Sequence, residues 1–83
     1  MYKIVFSAHS QREFLGLDKT AQELIAIKLS DLKQGVFTND KALKGKHKGK
    51  FRKRAGSYRI IYLKENNILL ITLVRIDHRK EIY

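Results

Sequence analysis

Phe51-Arg52-Lys53-Arg54-Ala55-Gly56-Ser57-Tyr58-Arg59-Ile60-Ile61-Tyr62-Leu63-Lys64 decides how this chain folds. Residues 51–54 and 58–64 are strand candidates, and the Gly56-Ser57 pair between them has turn composition, so the spacing predicts an antiparallel pair. Glu65-Asn66-Asn67 is a second turn signal. Beyond it, residues 68–76 are apolar on both faces over most of their length, which suits a central strand. No proline interrupts these segments, and together they predict an antiparallel meander.

Upstream, Tyr2, Ile4 and Phe6 alternate with Lys3 and Val5, the period of a strand with one buried face, and this strand is expected to join the same sheet. Ser7 is placed to cap a short helix through Gln11, Phe14 and Leu15, with Gly16 ending it. Thr20-Ala21-Gln22-Glu23 has the form of a capping box and predicts a longer helix starting there. Its apolar positions Ala21, Leu24, Ile25, Leu29 and Leu32 recur at three- and four-residue steps, and Gly35 is its C′ residue. Residues 36–49 read as a loop. Two helices are too narrow to be a domain alone, so they must cover the sheet. The expected fold is α+β, an N-terminal strand, a two-helix hairpin and a meander, in a single domain over residues 1–83.

The 83 residues hold 18 Lys and Arg against 8 Asp and Glu, a formal net charge of +10. An apolar content of 43% is too high for a disordered basic tail, so this is a folded basic domain. The charge is uneven. Residues 41–64 carry ten of the cations (Lys41, Lys44, Lys46, Lys48, Lys50, Arg52, Lys53, Arg54, Arg59 and Lys64) and no acid. Such a cluster repels itself, and a polyanion, nucleic acid above all, relieves it. A domain this small buries only about 60% of the surface its unfolded chain exposes, so an acidic partner is expected to add stability. Without cysteine there is no disulfide framework and no thiolate chemistry. The longest apolar run, residues 68–74, is far shorter than the roughly 20 residues that span a bilayer, and no signal peptide precedes the first strand. A soluble, cytoplasmic protein without membrane contact is expected.

Alternation places Arg59 on the side of Ile61 and Leu63. A strand arginine among apolar neighbours is costly unless a counter-charge or a ligand meets it. Asp77 or Glu81 at the sheet end is the structural answer, and a bound phosphate is the functional one. Arg52 and Arg54 share a face opposite Lys53; alone, such a pair is more often a solvated edge-strand device against aggregation. Asp77-His78-Arg79-Lys80-Glu81-Ile82-Tyr83 gathers an imidazole, a guanidinium and a phenol, groups that suit phosphate-ester cleavage. Lys44, Lys46, Lys48, Lys50, Arg52 and Lys53 are the RNA-binding candidates. His9, His47 and His78 lie far apart without zinc-ligand spacing, and the carboxylates are scattered, so no metal or other cofactor is expected. There is no Walker-type loop and no serine nucleophile elbow.

Taken together, Arg54-Ala55-Gly56-Ser57-Tyr58-Arg59 and His78-Arg79-Lys80-Glu81-Ile82-Tyr83, with Leu17-Asp18-Lys19 before the second helix and Lys41-Ala42-Leu43-Lys44-Gly45 before the next strand, resemble the RelE/ParE toxin superfamily of toxin–antitoxin pairs. The resemblance covers nearly the whole chain. For the RelE branch it implies a ribosome-dependent endoribonuclease that enters the A site and cuts the mRNA codon there. The implied reaction is attack of a ribose 2′-OH on the adjacent phosphate without a metal, so the protein's own cations must neutralise the transition state. By position, the resemblance implies Arg59 and Arg79 on the scissile phosphate, Arg54 assisting, and Tyr83 orienting the nucleophile or acting as base, with His78 beside them.

Three departures from the family pattern matter. Arg52 and Arg54 stand where some members have lysines, and arginine is a poor base because its pKa stays above about 12, so proton removal falls to Tyr83, His78 or Lys50. A terminal carboxylate is expected beside the site at Tyr83, costing on the order of 1 kcal/mol at about 4 Å even in water unless an arginine screens it. No Glu stands in the strand of residues 51–54, where some members carry a carboxylate base. Two alternatives stay open: a ParE-like DNA gyrase inhibitor without nuclease activity, and a non-catalytic basic nucleic-acid-binding module. The resemblance also implies a RelB-like antitoxin, acidic or amphipathic, in a hetero-oligomer with the toxin.

Overall fold

Gly56 sits at the first position of the two-residue loop that joins the decisive strands, with φ +63°. A side chain there meets both the strained backbone and Leu24, whose Cδ2 would lie 2.7 Å from an added Cβ. The structure, a computed structural model, describes residues 1–78. Around this loop, strand β3 (Lys50–Ala55) pairs antiparallel with β4 (Tyr58–Glu65), which pairs antiparallel with β5 (Leu70–His78). The N-terminal strand β1 (Lys3–Phe6) lies parallel to β5.

Helix α1 (Ala8–Leu15) is capped by Ser7, whose hydroxyl accepts from the Ser10 N–H at 3.1 Å. Helix α2 (Lys19–Lys33) starts two residues earlier than the capping box at Thr20 suggests. Its cap is Asp18, whose extended backbone and carboxylate, accepting from Ala21 N–H at 2.8 Å, satisfy the first turn and leave Thr20 inside the helix. At the other end Gly35 takes φ +79°, and Gly35 and Val36 return hydrogen bonds to Leu32 and Asp31, a Schellman closure.

The segment expected to be a loop, residues 36–49, contains a two-residue strand β2 (Lys41–Ala42), paired with Phe51 and Arg52, and a 3-10 turn at Gly45–His47. Two residues are too few to show a period, so only the pairing reveals β2. The sheet is therefore five-stranded and mixed, in the order β1-β5-β4-β3-β2. Strand β5 begins at Leu70 and not at residue 68, because Leu69 adopts φ +51° and closes a turn onto Asn66.

Both helices cover one face of this sheet. Ile25 and Leu32 of α2 pack with Ala55, Ile60, Tyr62, Ile71, Leu73 and Ile76 in a fully enclosed cluster. Where β1 stops, α1 takes over the edge of β5. Ser7 Oγ donates to the Val74 carbonyl, and Glu13 Oε1 accepts the Ile76 N–H at 2.7 Å, so edge groups that β1 no longer reaches stay satisfied. A register shift between Ile61 and Tyr62, opposite Leu73 to Arg75, marks a β-bulge. It changes the buried step from two residues (Ile71, Leu73) to three (Ile76) and turns both Val74 and Arg75 away from the helices.

Candidate functional site

The uncovered face of β3, β4 and β5 carries the arginines. Arg54 stands in register with Arg59, and Arg59 with Asp77, so three charged side chains form one row across three strands, with neighbours about 4.8 Å apart. One row along, Arg52 faces Ile61, and Ile61 faces Arg75. Like charges directly opposite each other destabilise a sheet, so the Arg54–Arg59 pair costs stability unless something anionic lies over it.

The 3-10 turn folds back over this face. Leu43 and His47 close a cleft of about 180 Å³ whose other walls are Arg59, Ile61, Val74, Arg75 and Asp77. Ile61 is buried here although it points away from the helices, which shows that the loop forms a partial second layer. Arg75 Nη2 lies 2.7 Å from Asp77 Oδ1 and 3.2 Å from Glu13 Oε2. The contact with Asp77 is a charge contact without hydrogen-bond alignment, so that oxygen has no aligned donor among the described residues. Arg59 makes no ion pair with Asp77, and its buried Nε has no hydrogen-bond partner there. The counter-charge anticipated for Arg59 is thus held by Arg75. Glu81, the other anticipated partner, lies outside the described residues. A buried guanidinium N–H without an acceptor is costly, and an incoming phosphate oxygen removes that cost.

Lys53, expected among the RNA-binding lysines, is buried. It points to the helix side, where its ammonium lies 2.9 Å from Asp40 Oδ1, both side chains being almost fully enclosed. The Tyr62 hydroxyl donates to Asp40 Oδ2 at 2.5 Å. Burial first, and then this bond and the charge of Asp40, push the Tyr62 phenol above its ordinary value, so it remains a donor. A more open hollow of about 400 Å³ borders this pair, but its buried cation is already matched by Asp40. The remaining RNA-binding candidates are accessible: Lys44, Lys46 and Lys48 are exposed on the loop, while Lys50 and Arg52 are half-buried on β3.

His78 is not beside the arginine row. It pairs in register with Tyr58, their rings meet edge to face at 5.0 Å, and Tyr58 packs on the core beneath the helices. The bulge explains this, since it shifts the phase of β5 and sends Ile76 and His78 to the helix side while Asp77 joins the cleft. Arg79 and Tyr83 lie outside the described residues. Tyr62 is enclosed, and Phe51 and Tyr58 pack on the core, so these aromatics are not base-stacking platforms. Sequence reasoning missed His47 and Arg75 as cleft residues. The three-residue step from Leu73 to Ile76 signals the bulge that places Arg75, whereas nothing in the lysine-rich loop signals that His47 turns inward. Among the described residues no group of three or more His, Asp or Glu could hold a metal ion, and no helix is long and apolar enough to cross a membrane.

Comparison with known proteins follows the same lines. The family described as the ParE toxin of the type II toxin–antitoxin system parDE matches residues 4–83. No curated protein matches the chain. Among solved structures, the RelBE2 toxin–antitoxin complex from Mycobacterium tuberculosis superposes with TM-score 0.84 at 24% identity, covering 94% of this chain and 98% of that one. The isolated Escherichia coli RelE toxin gives TM-score 0.79 at 16% identity over 94% and 84%. The YoeB/ParE toxin from Agrobacterium tumefaciens gives 0.79 at 18% over 92% and 96%. At these identities the likeness speaks for the shared fold, and the family match carries the assignment: the chain belongs to the ParE toxin family of type II toxin–antitoxin systems, within the RelE/ParE superfamily.

Proposed function

We propose that this toxin is a ribosome-dependent endoribonuclease that cleaves mRNA codons in the A site by metal-independent attack of a 2′-OH on the neighbouring phosphate. The observation that carries the reading is Arg59, in register with Arg54, on the wall of a cleft in which its Nε has no partner among the described residues. Fixed donors that await a developing charge in a partly dry site are the main way a protein stabilises a phosphorane-like transition state. Arg59 holds a non-bridging oxygen and Arg54 assists from the next strand. Arg79 and Tyr83 complete the set as a second phosphate ligand and a nucleophile-orienting phenol. Lys44, Lys46, Lys48, Lys50 and Arg52 grip the flanking backbone, which makes affinity fall steeply with salt. In the cytoplasm an antitoxin covers the basic face, as expected from the toxin–antitoxin complexes among similar folds.

A second reading follows from the family match itself, because its description is that of a ParE toxin. In it the same face binds DNA gyrase and cuts no RNA. Induced expression followed by mapping of mRNA 5′ ends, beside an assay for trapped gyrase–DNA complexes, separates the two. Codon-phased cuts that vanish in Arg59→Ala support the nuclease; trapped gyrase with intact messages overturns it.

A further inference from the structure

We propose that His47 is the proton acceptor of the cleft, a catalytic residue for the 2′-OH attack; this rests on the nuclease reading given above. The chemistry requires a base beside Arg59, and the arginines cannot serve because they stay protonated. Lys50 is in register with Leu63, four residues along β3 from Arg54, which puts it roughly 13 Å from the arginine row at strand spacing. His78 is packed edge to face on Tyr58 at the opposite face of the sheet. Asp77 lines the cleft, but it is 9% exposed and its carboxylate is engaged by Arg75 at 2.7 Å. Tyr83, placed above as the nucleophile-orienting phenol, lies outside the described residues, and among those described His47 remains: it is exposed, and the 3-10 turn at Gly45–His47 sets it on the wall of the cleft that Arg59 also lines.

The geometry assigns the steps as follows. A scissile phosphate bound by Arg59 leaves its neighbouring ribose at the mouth of the cleft that His47 also lines. His47 takes the 2′-OH proton as the O2′–P bond forms. The P–O5′ bond breaks with its electron pair going to the 5′ oxygen, which takes a proton from water, and the imidazolium returns its proton to solvent. One proton has moved from O2′ to O5′, and no co-reactant is consumed. An imidazole is the side chain whose charge changes between about pH 5 and 8, so a base of this kind leaves a mark on the pH–rate profile. Among the described residues, the charged groups that line the cleft with it are Arg59 from β4 and Arg75 and Asp77 from β5, and Lys46 and Lys48 flank it in sequence.

The test is single-turnover cleavage of ribosome-bound mRNA by the full chain, wild type against His47→Gln, His47→Ala and Arg59→Ala, between pH 5.5 and 8.5. Both His47 variants are expected to cleave on the order of 10²-fold more slowly, to lose the limb that rises with pH, and to bind ribosomes and melt as the wild type does. Cleavage by His47→Gln within threefold of wild type, with the rising limb kept and Arg59→Ala inactive, overturns the assignment of His47 and leaves the nuclease standing. If the wild type itself makes no cuts, the nuclease reading falls and takes this inference with it.

Discussion

The two faces of one strand pair treat their cations in opposite ways. Lys53 and Arg59 lie on neighbouring strands one register step apart, Lys53 toward the helices and Arg59 toward the open cleft. On the helix side, Asp40 meets the ammonium at 2.9 Å, and the Tyr62 hydroxyl completes the carboxylate. On the other, the nearest carboxylate, Asp77, is occupied by Arg75, and the Arg59 Nε has no partner among the described residues. A neutralised cation holds the β3–β4 pair to the loop before β2, whereas one that no described carboxylate meets keeps its affinity for a ligand. Charge density in the sequence therefore says where cations are abundant, and pairing decides which of them are available.

Breaking the neutralised side has the largest expected effect. Asp40→Ala leaves an uncompensated ammonium in the interior and should destabilise the fold by about 3–5 kcal/mol, read as a lower urea midpoint. Replacing both partners with apolar residues, Asp40→Leu with Lys53→Met, should recover most of that loss. A loss under about 1 kcal/mol for the single change would put Lys53 in the same class as Arg59.

On the open side the order inverts. Arg59→Ala should slow mRNA cleavage by about 10²–10³-fold, the usual effect of removing one transition-state donor, while the unfolding midpoint stays level or rises because the opposition to Arg54 is relieved. A variant that melts early yet cleaves normally would make Arg59 a structural residue.

Tyr62→Phe sharpens the contrast at intermediate size. It removes a hydrogen bond to a charged acceptor and should cost about 1.5–3 kcal/mol at neutral pH. The folded chain holds the Tyr62 proton above the ordinary tyrosine range. An unfolded tyrosine ionises near pH 10, so above about that pH the unfolded chain sheds a proton that the folded one keeps. The contribution is whole below that point and declines as pH rises, and denaturation at a series of alkaline pH values should show the gap between wild type and Tyr62→Phe closing. A gap that widens would contradict the Tyr62–Asp40 assignment.

The smallest effect per residue belongs to the exposed loop. Lys44→Ala, Lys46→Ala and Lys48→Ala should leave stability unchanged, and each should reduce the slope of log affinity against log salt for ribosomes or RNA by about one unit at most. Unchanged slopes would remove this loop from the polyanion interface.

Much of this molecule is legible in its residues. Alternation through Tyr58, Ile60 and Tyr62 gives β4 its buried face, Ser7 and Gly35 mark helix boundaries, and the run of cations after Lys41 marks the basic surface. Those features are local: each is a spacing, a cap or a composition that short-range physics enforces. The capping box at Thr20 misplaced the start of α2, because Asp18 two residues before it also offers a side-chain acceptor and the backbone is extended there. The order of β1 beside β5 and the pairing of β2 join segments distant in sequence, and no periodicity encodes them.

By itself, then, the sequence determined most of the elements, the class of fold, the excess of positive charge and the face that Arg52 and Arg54 share. Only the tertiary structure decided which cations are neutralised, because Asp40, Glu13 and Asp77 are brought to their partners by long-range packing. It also decided that the bulge in β5 sends His78 behind the sheet and Asp77 in front of it, and that a turn in a solvated-looking loop carries His47 over the cleft. The physical reason is that spacing along a chain fixes which face a residue takes, while an ion pair or a cleft depends on what the rest of the chain places opposite it.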